Sequence, residues 1–302
     1  MTAPSQYALA GLCAALIIGY AGGCAGRTAT TGTPVGVSRV VAVESVYGDL
    51  VRQIGGERVA VTTILANADA DPHAYEPSTS DADAVAAADL VVSNGLGYDG
   101  FVDKLLAASL RDGRTTIVAG SLVGHRLGDN PHVWYETATL RATARSVTSN
   151  LAARDPAHGA RFTANRRRFD AWLDRLEARE RAFARRHPHA AVAITEPVFD
   201  YVLHAVGALV ATPPSFSHAI EEGGDPAPQD VATMDELLTN RRVEVFVYNR
   251  QTVEPATTRL LDAARRGRLP VVAVTETLPA RERLQTWIGG ELDALDAALN
   301  GR

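Results

Sequence analysis

Cysteine is nearly absent from this chain of 302 residues: Cys13 and Cys24 are the only two, and both lie near the N-terminus. The rest of the chain therefore has no disulfide and no thiolate metal site, so a metal held there must have nitrogen and oxygen ligands. Excess basic charge is missing too. The net charge of −5 gives no reason to expect a nucleic-acid partner and would not repel a cation. Lysine has almost vanished in favour of arginine, Lys104 being the only one, a bias that reads as genome composition. Neither a His-Glu-x-x-His metalloprotease motif nor a Gly-x-Ser-x-Gly elbow occurs. What remains has a globular composition, 46% hydrophobic and 22% charged, with enough length for two lobes of ordinary size.

Apolar runs are short except at the N-terminus. Residues 7–20 form one that is too short for a comfortable membrane span and ends in small residues, as an export signal does. Ala21-Gly22-Gly23-Cys24 then resembles a bacterial lipobox, in which cleavage precedes a cysteine that becomes lipidated. Two features depart from that pattern: no Lys or Arg precedes the run, and Ala21 stands where leucine is commoner. The expectation is a signal peptide over 1–23 and an extracytoplasmic protein held to the cell membrane by lipid on Cys24, with a Gly/Thr-rich tether over 24–38. The alternative is cleavage elsewhere, with Cys24 incidental.

Downstream, short apolar strands alternate with helical patterns. Strands are predicted at 40–43, 59–65, 90–93 and 116–119, with helices at 45–54, 78–88 and 101–110. Ser78 is placed to cap the second of these helices. A helix over 137–153 is followed by the longest helical pattern, 159–186, in which Phe162, Phe169, Trp172, Leu173, Leu176 and Phe183 recur near helical spacing. The second half repeats the alternation. Strands are expected at 191–195, 243–248 and 270–274, a Gly/Pro-rich loop at 215–228, and a last helix broken at Gly289-Gly290. This is the pattern of two parallel-sheet α/β lobes, 39–155 and 189–302, joined by one long helix within 156–188.

Ligands in such lobes bind beyond the carboxyl ends of strands. Two Pro-His dipeptides fall in loops of that kind, in Asp71-Pro72-His73 and Asn130-Pro131-His132. A proline-flanked imidazole loses little freedom on binding a metal. Glu196 and Glu276 stand at the corresponding strand ends of the second half. Two imidazoles and two carboxylates suit a divalent cation such as Zn²⁺ or Mn²⁺. Asn249 and Gln251 follow another strand and can hydrogen-bond a ligand carboxylate. Among the other histidines, His125 is read as a surface residue with an auxiliary ligand role as the alternative, and His218 as a possible gate to the cleft. His204 is read as packed or capped, and His158, His187 and His189 as solvated.

The chain resembles the substrate-binding lipoproteins of ABC-type zinc/manganese importers over nearly all of its length beyond the tether. The likeness rests on Asp71-Pro72-His73 with Tyr75-Glu76-Pro77, on Asn130-Pro131-His132-Val133-Trp134, on the long helix with Asn165, on Glu196 leading into Phe199, Tyr201 and Gly207, and on Glu221-Glu222-Gly223 followed by Pro228. The resemblance implies two lobes on a rigid helix and metal in the interlobe cleft, with ligands at His73, His132, Glu196 and Glu276. Zinc members often carry a His-rich loop between the first two ligands, where this chain offers only His125, and a histidine where Glu196 stands. Manganese members usually carry Asp at the fourth position, here Glu276. The affinity order favours Zn²⁺ over Mn²⁺ at such sites, and zinc is narrowly preferred. Implied partners are an ABC permease with its ATPase and the membrane, for a monomer that does no catalysis. The alternatives are a metal-binding surface adhesin or scaffold and, behind it, a metal-dependent hydrolase.

Overall fold

The computed structural model describes residues 36–67, 74–252 and 255–301. The expected signal peptide, Cys24, most of the tether and His73 lie outside them. The described residues form two sheets of four parallel strands each. The first has the order β2-β1-β3-β4, from β1 (Ser38–Glu44), β2 (Val59–Leu65), β3 (Leu90–Ser93) and β4 (Thr115–Val118). The second repeats it as β6-β5-β7-β8, from β5 (Ala191–Ile194), β6 (Leu209–Val210), β7 (Val245–Asn249) and β8 (Val271–Val274). In both sheets the chain order reverses between two inner strands, and a crevice opens there beyond the strand ends. Glu44 and Asn94 flank that crevice in the first lobe, and Glu196 and Asn249 flank it in the second.

The strands read as apolar runs because helices cover both faces. All four residues of β3 are buried. In the first lobe these helices are α1 (Ser45–Gly55), α2 (Thr79–Ala87), α3 (Phe101–Ala108) and α4 (Thr137–Arg154). Ser78 closes a capping box on α2: its hydroxyl accepts from the Asp81 N–H, and the Asp81 carboxylate accepts from the Ser78 N–H at 2.7 Å. Gly56, at φ 57°, ends α1 in a backbone conformation that side chains disfavour.

The long helix α5 (Gly159–Arg186) buries Phe162, Phe169, Trp172, Leu173, Leu176 and Phe183. At 1.5 Å per residue it is roughly 40 Å long. Its apolar stripe packs on α1 and α4 of the first lobe, and on α6 (Asp200–Ala205) and α10 (Leu284–Asn300) of the second. One core cluster accordingly runs through both lobes, from Val40 to Leu299. The lobes are also tied by side chains. The Tyr135 hydroxyl reaches Thr275 O and Glu291 Oε2, each at 2.6 Å, and Asp49 accepts from the Leu284 N–H at 3.0 Å.

Four local expectations are corrected. Within the expected Gly/Pro loop, residues 214–221 are a helix, α7 (Pro214–Glu221). Pro214 occupies its first turn, and buried Phe216 and Ile220, four apart, anchor it. The last helix is unbroken at Gly289-Gly290. A Cβ at Gly289 would stand 3.1 Å from the Arg179 guanidinium, whose Nη2 donates to Gly289 O, so tertiary contact outweighs glycine's weak helix propensity. His187 is not solvated: its side chain is 8% exposed and its Nε2 lies 2.7 Å from Asp296 Oδ1. His204 is exposed in the last turn of α6, so the packed half of its packed-or-capped reading falls away. Among the described residues no helix is long and apolar enough to cross a membrane.

Candidate metal centre

His132 stands at the end of a tight Asn-Pro-His turn. Asn130 Oδ1 accepts from the His132 backbone N–H at 3.0 Å and from ring Nδ1 at 2.7 Å. An amide oxygen only accepts, so Nδ1 carries a proton, and in the neutral ring the lone pair lies on Nε2. The other end of the same amide donates to Pro197 O of the second lobe at 2.7 Å. The imidazole is fully buried, edge-on to Trp134 at 5.2 Å and to Tyr98 at 6.1 Å between centroids. Its Nε2 has no hydrogen-bond partner among the described residues. Two carboxylates face that nitrogen instead: Glu276 Oε2 at 3.4 Å and Glu221 Oε1 at 3.7 Å.

Glu196 follows β5 and is 4% exposed. Glu276 follows β8 and is 2% exposed. One amide group holds them both: Asn249 Nδ2 donates to Glu196 Oε2 at 2.8 Å and to Glu276 Oε1 at 2.5 Å. Tyr98 donates its hydroxyl to the other Glu276 oxygen at 2.9 Å. Gln251 acts through the backbone, its Oε1 accepting from the N–H of Glu276 at 2.6 Å and of Thr277 at 3.1 Å. The structure thus brings His132, Glu196, Glu276 and Asn249 together, with Gln251 bracing the Glu276 backbone. Among the described residues no three or more His, Cys, Asp or Glu side chains form a ready-made metal cage. His73 falls outside them.

Tyr98 and Glu221 join this group without having been singled out from the sequence as site residues. Glu221 carried a signal in the Glu221-Glu222-Gly223 loop, but Tyr98, in a Gly-Leu-Gly-Tyr turn, carried none. Burial, then the charge of Glu276, pushes the Tyr98 phenol well above its ordinary range, so it remains a proton donor to Glu276. Beneath it, Asp99 accepts from the N–H groups of Asn94 at 2.7 Å and Gly95 at 2.8 Å. Burial and then Asp99 raise the Glu44 carboxyl well above the usual range. His125 lies apart, 3.0 Å from Glu136. His218 lines a cavity of about 300 Å³ together with Asp200, Ser217 and Glu221.

Two parallel-sheet lobes stand on one long helix, with polar ligand types gathered where the lobes meet. The profile of the ZnuA family, zinc-uptake complex component A periplasmic, matches residues 40–298, and the chain belongs to that family. It is accordingly a binding protein and not an enzyme. The manganese-binding lipoprotein MntA of Halalkalibacterium halodurans is 29% identical over 161 residues, 52% of this chain and 53% of the relative, so the match spans about half of that protein. The manganese ABC transporter substrate-binding lipoprotein PsaA of Streptococcus anginosus is 25% identical over 232 residues, 72% of each chain. Among solved structures, FpvC of Pseudomonas aeruginosa, in complex with Mn²⁺, shares the fold at a TM-score of 0.72 and 23% identity, covering 88% of this chain and 99% of that one.

Proposed function

We propose that this protein captures a divalent transition metal outside the cytoplasmic membrane and delivers it to an ABC permease and its ATPase. We assign the metal ligands to His73, His132, Glu196 and Glu276, with Asn249 and Gln251 orienting the carboxylates. The single observation that carries the reading is His132 Nε2: a buried nitrogen with no hydrogen-bond partner among the described residues, facing a carboxylate at 3.4 Å. A buried polar atom left unpaired is costly, and a cation between imidazole and carboxylate removes that cost. With no thiolate available, the ligand set is nitrogen and oxygen, and the affinity order favours Zn²⁺ over Mn²⁺. The carboxylates soften that preference and the kinship with manganese-binding lipoproteins keeps Mn²⁺ as the second candidate. The domain plan that goes with this function is a signal peptide over 1–23, lipid on Cys24 and a tether to 38. Lobes over 39–155 and 189–302 then flank a linking segment over 156–188, in a monomer.

The test is mutational. His132→Ala combined with Glu196→Ala should abolish stoichiometric metal uptake while circular dichroism remains that of the parent, because both residues serve the cation rather than the core. Retained uptake would exclude this ligand set. Protons compete with metal for Nε2, so affinity should fall as the solution is made acidic.

A further inference from the structure

We infer that Glu221 is a further ligand of the bound cation, supplied by the C-terminal end of α7, where it lines a cavity beside the Asn130-Pro131 turn. The inference rests on the metal-binding reading above and adds to it a carboxylate outside the four-ligand set. Three observations converge. First, one Glu221 oxygen lies 3.7 Å from His132 Nε2, nearly as close as the Glu276 oxygen at 3.4 Å. That nitrogen is buried and has no hydrogen-bond partner among the described residues. In the neutral tautomer set by the Asn130 contact, Nε2 carries the lone pair and does not donate to either carboxylate. Lone pairs from both lobes therefore point into one small volume, an arrangement that a cation stabilises.

Second, Glu221 is held there by structure. Phe216 and Ile220, both 1% exposed, root α7 in the core cluster of Met234, Leu238, Val243 and Phe246. Only 11% of the Glu221 side chain remains exposed, whereas its neighbour Glu222 is exposed. Third, Glu221 lines the cavity of about 300 Å³ that also receives Asp200, Ser217 and His218. Asp200 is partly buried beside it, and its Oδ1 has no hydrogen-bond partner among the described residues. Glu221 thus adds an oxygen ligand, raising the negative charge and the coordination number of the site.

The experiment compares the full-length protein with Glu221→Gln, Glu221→Asp, Glu222→Gln and His132→Ala. Zn²⁺ affinity is measured by chelator competition, and the number of oxygen and nitrogen neighbours by X-ray absorption on the loaded protein. Glu221→Gln should weaken Zn²⁺ by roughly tenfold or more, since even outer partners of metal ligands cost that much, and should release Zn²⁺ faster. It should also lose one neighbour. Glu221→Asp, one methylene shorter, should fall between this variant and the parent, and it carries the test should the glutamine variant fail to fold. Glu222→Gln should match the parent. Unchanged affinity and neighbour count in both Glu221 variants, with binding lost in His132→Ala, would overturn the Glu221 assignment and leave the metal-binding reading standing. A parent protein that takes up no Zn²⁺ or Mn²⁺ would overturn both.

Discussion

Asn249 connects Glu196 and Glu276 through a single amide nitrogen, at 2.8 and 2.5 Å. Two carboxylates so close repel each other unless a donor or a cation stands between them. Asn249→Ala should therefore weaken metal binding about 10- to 100-fold, read by chelator competition. Tyr98→Phe removes the other donor to Glu276, at 2.9 Å, and should weaken binding in the same direction by about tenfold at the low end of that range. An affinity equal to the parent in both variants would mean that the carboxylates need no orientation. At this scale the sequence reveals ligand types and strand-end positions, which is why His132, Glu196, Glu276 and Asn249 can be picked out. It does not reveal partners brought from the other lobe. Tyr98 reaches Glu276 across 178 positions of chain, and nothing local in a Gly-Leu-Gly-Tyr turn marks that contact.

Elements were legible where period and punctuation agree. The cap at Ser78 and the stripe of α5 follow directly from residue spacing. Ser78→Ala should destabilise the protein by about 1 kcal/mol, measured by denaturant unfolding, through loss of the cap on α2. The α7 helix was hidden because Pro and Gly crowd its flanks. Only Phe216 and Ile220 signal it, and their effect depends on a core that forms later. Gly289-Gly290 misled for the complementary reason: packing on α5 overrides local propensity. On α5 itself, burial and then the neighbouring charge of Glu177 push Glu180 up to about 7. The folded protein thus holds this proton more tightly than the unfolded chain. The associated stability is complete below the ordinary glutamate pKa of about 4.5 and is lost as pH rises through about 7. Glu180→Gln should escape that loss. Thermal unfolding at pH 8 should find the variant more stable by roughly 1–2 kcal/mol, after discounting for residual solvent access, and the gain should shrink at pH 5. A gain independent of pH would refute the assignment.

At the scale of the molecule, alternation of strands and helices predicts two lobes and a long helix, and both are present. What it does not predict is how firmly the lobes are joined. The Tyr135 hydroxyl, the Asp49 carboxylate and the Asn130 amide each bond across the junction. A shared core passes beneath them. Stiff lobes mean that a cation adds its binding energy to a fold already formed. Saturating metal at about a thousand times Kd should then stabilise the protein by about 4 kcal/mol, visible as a rise in Tm, while the metal-free protein still unfolds cooperatively. The central claim, that this fold exists to hold one transition-metal ion, is tested most directly by competitive titration of the chelator-stripped protein with Zn²⁺ and Mn²⁺, metal content being read by elemental analysis. One tightly held ion per chain, with Zn²⁺ displacing Mn²⁺, is the predicted result. No stoichiometric uptake of either ion would contradict it.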